Sequence, residues 1–249
     1  MTLQEQAARL DRDDPLRMMR DAFELPEGRV YLDGNSLGAL PRCVGERVQQ
    51  VVGQQWGRDL ITSWNVHEWV NLPLQVGEKI APLVGAAPGQ VICCDSISVN
   101  LFKLLATALA LRSPRRVILT CAGDFPTDAY MGQGLQTLLG TERCEMRAVA
   151  AENLVDALDD SVAVLMLTEV DFRIGMRHDM RALTAAAHDC GALVLWDLAH
   201  SAGAIPVALD DCAVDMAVGC GYKFLNGGPG APAFLYLAGQ HQDRVVQPL

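Results

Sequence analysis

Ala192-Leu193-Val194-Leu195-Trp196-Asp197-Leu198-Ala199-His200 is the stretch whose reading decides the fold. Five apolar residues run together and then stop at an acid. A strand with one wet face alternates apolar and polar side chains; a strand covered on both faces does not. The run therefore predicts a buried strand over Ala192–Trp196, with Asp197 at its carboxyl end.

The same pattern recurs on both sides of it. Strands are predicted at Val91–Cys94, Val117–Thr120, Val162–Leu167, Met216–Gly219 and Phe234–Leu237. Helices are predicted between them, at Val99–Leu111, Thr127–Leu139, Glu152–Leu158 and Asp179–Cys190. This alternation predicts an α/β fold, a mainly parallel sheet covered by helices on both faces. Upstream, residues 1–30 read as helical and polar, and Asp33-Gly34-Asn35-Ser36-Leu37-Gly38 reads as a turn-rich loop. Pro41 opens a helix to about Trp56, and another runs from Pro73 to Leu83. The chain divides into an N-terminal helical segment, 1–60, and an α/β domain, 61–249.

Bulk properties narrow the function. The 249 residues are half hydrophobic and one-fifth charged, the balance of a folded globular chain. The 20 basic and 30 acidic residues leave a net charge of −10. Such a surface repels phosphate backbones, so nucleic acid is not an expected partner. No apolar run is long enough for a bilayer, and Met1-Thr2-Leu3-Gln4-Glu5 does not open a signal peptide. A cytoplasmic protein without a membrane partner is expected. The eight cysteines, at 43, 93, 94, 121, 144, 190, 212 and 220, form no C-x-x-C pair and no zinc spacing. They are expected to be reduced core thiols, with no metal site.

In sheets of this kind ligands bind beyond the carboxyl ends of the strands, so the residues after each strand carry the chemistry. Asp95-Ser96-Ile97-Ser98 leads into a helix, and Ser98 reads either as a phosphate contact at the helix N-terminus or as a plain cap. Asp124-Phe125-Pro126-Thr127-Asp128 offers a ring for stacking beside another helix start, or a capped helix with one buried Phe. Asp197 needs a cation if it is ionised, and a protonated pyridine nitrogen would supply one; capping the next turn is the alternative. Gly221-Tyr222-Lys223-Phe224 sets a lysine among apolar and small residues, and burial of an ammonium favours the neutral, nucleophilic amine. Gly219-Cys220-Gly221 lacks the third glycine of a dinucleotide fingerprint. Together, four strand ends supply a phosphate site, a ring stacker, an acid for a pyridinium and an amine, which is what pyridoxal 5'-phosphate (PLP) requires.

Longer motifs sharpen this. Tyr31 through Gly38, Ser63-Trp64-Asn65, Phe125-Pro126-Thr127-Asp128, Trp196 through Gly203 and Gly219 through Ala233 resemble the kynureninase family over nearly the whole chain. The resemblance implies the aspartate-aminotransferase-like fold of PLP enzymes in the class V aminotransferase group, and a homodimer. It implies hydrolysis of L-kynurenine, or its 3-hydroxy form, to anthranilate or 3-hydroxyanthranilate and L-alanine, in tryptophan catabolism and NAD biosynthesis. By position, it makes Lys223 the Schiff-base lysine and the base that removes the Cα proton. It pairs Asp197 with the ring nitrogen, with His200 close by. It stacks Phe125 on the ring, with Pro126, Thr127 and Asp128 in the same segment. Ile97 and Ser98 fall on the phosphate side, Thr168 is a further cofactor contact, and Tyr222 reaches the phosphate and relays protons. Ser36 and Trp64 approach the substrate.

The sequence departs from the family in two places. Family chains are longer, and this sequence is expected to lack their C-terminal small domain, with the arginine that grips the substrate carboxylate and the active-site Asn and Trp beyond the lysine. The family more often has His, Asn, Tyr and Thr where Glu169, Asp171, Phe172 and Ile174 stand. That change adds negative charge near the cofactor and is expected to weaken phosphate binding, to alter Lys223 or to change substrate specificity. Two other readings stay open. One is a related PLP enzyme such as a cysteine desulfurase, although those usually place His where Tyr222 stands. The other is an inactive PLP-binding fragment.

Overall fold

A computed structural model describes residues 1–245. Its centre is a seven-stranded sheet in the order β3-β9-β8-β7-β6-β4-β5. The strands are β3 (Val91–Cys93), β4 (Val117–Cys121), β5 (Glu145–Val149), β6 (Val162–Thr168), β7 (Leu193–Asp197), β8 (Met216–Cys220) and β9 (Ala233–Leu237). From β5 through β8 the pairing is parallel. β9 runs antiparallel to both β8 and β3.

The continuous apolar runs have the expected cause, since every residue of β4, β6, β7 and β8 is buried. Side chains of β7 alternate between two separate cores. Leu193 and Leu195 join Leu101, Leu104, Leu105 and Leu135, beneath α6 (Ile97–Leu111) and α7 (Pro126–Leu139). Val194 and Trp196 join Ile80, Met180 and Ala187 on the other face, under α5 (Leu72–Ile80) and α8 (Met180–Asp189). Helices therefore cover both faces, as the alternation predicts. Each fully buried Leu or Ile in these layers contributes about 1.5–3 kcal/mol relative to exposure.

The N-terminal part is thinner. α1 (Leu3–Asp13) starts on a capping box between Thr2 and Glu5 and buries no residue. β1 (Phe23–Glu24) and β2 (Leu40–Pro41) form a two-residue pairing. α2 (Cys43–Gln50) passes into a π-helical turn over Val51–Trp56, so the expected single helix to Trp56 changes its winding midway. Two short helical turns follow, α3 (Gly57–Asp59) and α4 (Ser63–Val66).

Two further expectations are corrected. The helix predicted over Glu152–Leu158 is a single 3-10 turn, Ala151–Asn153, followed by turns. The edge strand β5 is absent from the sequence reading because Glu145 and Arg147 interrupt its apolar pattern. These charges suit an edge position, where both ion-pair: Arg147 with Asp159 at 2.9 Å and with Glu145 at 3.3 Å. α9 (Gly239–Gln242) closes the described chain. No helix among the described residues is long and apolar enough to cross a membrane.

Candidate active site

The carboxyl ends of β7 and β8 and the N-terminal ends of α6 and α7 surround one cavity. Ser96, Ile97, Ser98, Phe125, Thr127 and Asp128 line it from the helix side, and Asp197, Tyr222 and Lys223 line it from the strand side. Eight of the residues singled out in the sequence therefore meet in one place, although they come from four separate segments.

Lys223 is buried, and its Nζ lies 2.9 Å from His200 Nε2. The amine sits between two rings, 5.6 Å from the Phe125 centroid and 5.9 Å from that of Tyr222. Burial first, and then the charge of Lys223, push His200 down to about 4. The imidazole is accordingly neutral at pH 7. It accepts from Lys223 through Nε2, which places its own proton on Nδ1, a buried atom without a hydrogen-bond partner among the described residues.

The carboxyl groups form the second feature. Asp197 ends β7, is fully buried, and accepts from Ala199 N at 2.8 Å. It thus caps the next turn and lines the cavity with the same side chain. Asp128 lies against it in the first turn of α7. Burial, followed by the Asp197 charge, pushes Asp128 up to about 9, and burial also raises Asp197. The pair therefore keeps a proton at neutral pH. Asp128 Oδ1 has no partner among the described residues. Such a pair suits a cationic ring nitrogen, which would answer both the burial and the mutual repulsion.

The helix side offers anion contacts. Ser96, not Ser98, is the cap of α6, its hydroxyl accepting from Val99 N at 3.3 Å. Ser98 is the second residue of α6, in its first turn, where helix N-termini carry free N–H groups and positive dipole character. The α7 terminus starts with Pro126 at its first position, and no side chain caps it. A flat, phosphate-bearing ring with a protonated nitrogen fits this donor set: helix ends for the phosphate, Phe125 beside the amine, and the acid pair opposite.

Other predicted residues lie elsewhere. Thr168 is buried beside Asp197 across the β6–β7 register, and its Oγ1 has no partner among the described residues. Trp64 is half-exposed and lines a neighbouring apolar groove with Trp69, Pro73, Leu225 and Pro232. Ser36 is exposed on the Asp33–Gly38 loop. That loop nevertheless docks on the lysine segment, with Gly38 N donating to Tyr222 O at 2.9 Å. A Cβ on Gly38 would come within 2.3 Å of Lys223 O, which explains the glycine.

The divergent segment after β6 corrects an expectation. Each added acid has its own arginine: Glu169 pairs with Arg177 at 2.9 Å and Asp171 with Arg173 at 2.7 Å. Little net charge is added beside the cavity. Phe172 packs edge-on against Phe125, centroids 5.1 Å apart, and stacks on His200 at 6.2 Å. The sequence marks Phe172 as a departure but not as a support for Phe125 and His200. Asp124, next to Phe125 in the chain, is raised by burial to about 6.

With this geometry in place, comparisons with known proteins become informative. The family model described as aminotransferase class-V matches residues 30–245. A kynureninase of Burkholderia pseudomallei is 52% identical over the whole of this chain and 61% of its own length. A kynureninase of Deinococcus radiodurans is 54% identical over 94% of this chain and 58% of its own. The chain thus spans about three-fifths of the length of these curated relatives. Among solved structures, a C-DES mutant with glycine covalently linked to its PLP cofactor aligns with TM-score 0.76 and 17% identity, covering 91% of this chain and 61% of that one. The apo cysteine desulfurase of Thermococcus onnurineus aligns with TM-score 0.69 and 19% identity, covering 100% and 60%. These two alignments show a shared fold.

Proposed function

The chain belongs to the class-V aminotransferase family, and from that premise we propose that it is the PLP-binding large domain of a kynureninase, with Lys223 as the cofactor lysine. The observation that carries the proposal is the convergence of Lys223 and the Asp128–Asp197 pair in one cavity at the strand ends, with His200 hydrogen-bonded to the lysine. The relatives named kynureninase share half of its residues.

In this reading residues 61–249 are the large domain and 1–60 an N-terminal segment. PLP supplies an electron sink for carbanion chemistry when bound. Lys223 would hold it through Nζ and would then serve as the base for the substrate Cα proton. Asp197 would pair with the protonated ring nitrogen, with Asp128 as the neighbouring acid. Phe125 would pack on the ring, while Pro126 and Thr127 position the start of α7. Ile97, Ser98 and Tyr222 hold the phosphate, and the Tyr222 hydroxyl relays protons. Thr168 and His200 orient the ring edge. Ser36 and Trp64 approach the substrate, L-kynurenine or 3-hydroxykynurenine, and the products are the anthranilate and L-alanine. The exposed Leu3, Leu10, Leu16, Met18 and Met19 are surface that a second subunit would cover, in keeping with a homodimer. The eight free thiols are in keeping with a cytoplasmic location.

The experiment combines absorbance with added PLP and fluorescence of released anthranilate, run on this chain and on a C-terminally extended one. The expected result is an imine band that Lys223→Ala abolishes, with anthranilate released at least by the extended chain. No band in either chain, or a band untouched by Lys223→Ala, counts against the assignment.

A further inference from the structure

Cys121, Asp124 and His178 bring one thiol, one carboxylate and one imidazole together, with their ligand atoms all within 4.8 Å of one another. Cys121 ends β4, Asp124 lies in the turn before α7, and His178 precedes α8. Sequence spacing gives no sign of this group because the ligands come from two distant segments. We infer that these three side chains form a binding site for a divalent cation of the zinc class, beside the cofactor cavity and separate from it.

The backbone holds all three in place. The hydrogen bonds Asp124 accepts from Thr120 Oγ1 and Thr168 N, both at 3.4 Å, fall on Oδ2, so a cation can take Oδ1. His178 N donates to Glu169 O at 2.9 Å, which fixes the ring's segment. Cys121 Sγ makes a long contact of 3.7 Å with Ala122 O. The mixture of S, N and O donors suits Zn2+, which takes three protein ligands and leaves a fourth position for water.

The donor charges also suit a cation. The nearby guanidinium of Arg173 is paired with Asp171. Binding converts Cys121 to the thiolate, with the thiol proton released to water and no change in oxidation state. Cys121 and Asp124 then balance the charge of the ion.

Untagged protein, with and without PLP, is titrated with Zn2+ against a chromogenic chelator, and with Co2+ while the thiolate-to-cobalt charge-transfer band is followed. One ion per chain is expected, with a thiolate band, one proton released and affinity weakened at least about tenfold in Cys121→Ser and in His178→Ala. Cys43→Ser and Cys94→Ser should leave binding unchanged. His178 is only half-buried, so His178→Ala keeps the experiment decisive if Cys121→Ser does not fold. No binding, or binding unchanged in a folded His178→Ala, overturns the assignment.

Discussion

Lys223 Nζ and His200 Nε2 are 2.9 Å apart, and the imidazole stays neutral down to about pH 4. The histidine thus acts as an acceptor that orients the amine, with its ring supported by Phe172. The folded state binds the His200 proton less readily than the unfolded chain, whose imidazole titrates near 6.5. Stability is therefore lost as pH falls from about 6.5 towards 4. His200→Gln should reduce that loss by on the order of 1 kcal/mol after allowance for solvent screening. Urea midpoints at pH 7 and 4.5 measure it, and an unchanged difference would rule the effect out.

Asp128 gives the opposite sign. Its folded value of about 9 lies far above the ordinary carboxylate range, so the folded state holds a proton that the unfolded chain has released. Stability of the PLP-free protein should fall as pH rises from about 4 to 9. Asp128→Asn should flatten this slope and stabilise the PLP-free protein at pH 8 by at least about 1 kcal/mol. The same variant should bind PLP more weakly. Thermal melts across pH, with and without PLP, separate the two effects.

Gly38→Ala should disrupt the docking of the N-terminal loop. The new methyl would meet the Lys223 carbonyl at 2.3 Å and the Asn226 side chain at 2.4 Å, and the carbonyl cannot rotate away. A loss of about 1–3 kcal/mol is expected, together with faster proteolysis of residues 1–40. An unaltered cleavage pattern would show that the loop is held by other contacts.

Arg177 neutralises a glutamate with no exposed surface. Arg177→Leu leaves Glu169 buried without its ion pair and should cost about 1–3 kcal/mol, the half-exposed arginine limiting the effect. Adding Glu169→Gln should recover most of the loss. A double-mutant cycle by chemical denaturation gives the coupling, and additivity would contradict it.

Sequence and structure agree most closely where burial is complete. β6, β7 and β8 are apolar up to the Thr168 and Asp197 that end β6 and β7, because both faces are covered, and their ends fall within a residue of the predicted ones. β5 escapes because half-exposed edge strands mix charged and apolar residues. Lys223, Asp197, Phe125 and Ser98 are legible as site residues because a parallel sheet gathers its strand ends at one edge. Pairings made across space are not legible: His200 with Lys223, Asp128 with Asp197, and the arginines that offset Glu169 and Asp171. Trp64 is found by motif, but the groove it lines draws on Leu225 and Pro232, far away in the sequence.

The hydrogen bond from Gly38 to Tyr222 also bears on synthesis. One partner leaves the ribosome 184 residues ahead of the other (222 − 38). At ordinary elongation rates the first must wait roughly ten seconds or more for its acceptor. During that interval the opening residues, with their apolar side chains in solvent, are a natural target for chaperones, and the nascent protein cannot assemble its cofactor pocket in the order in which it is translated.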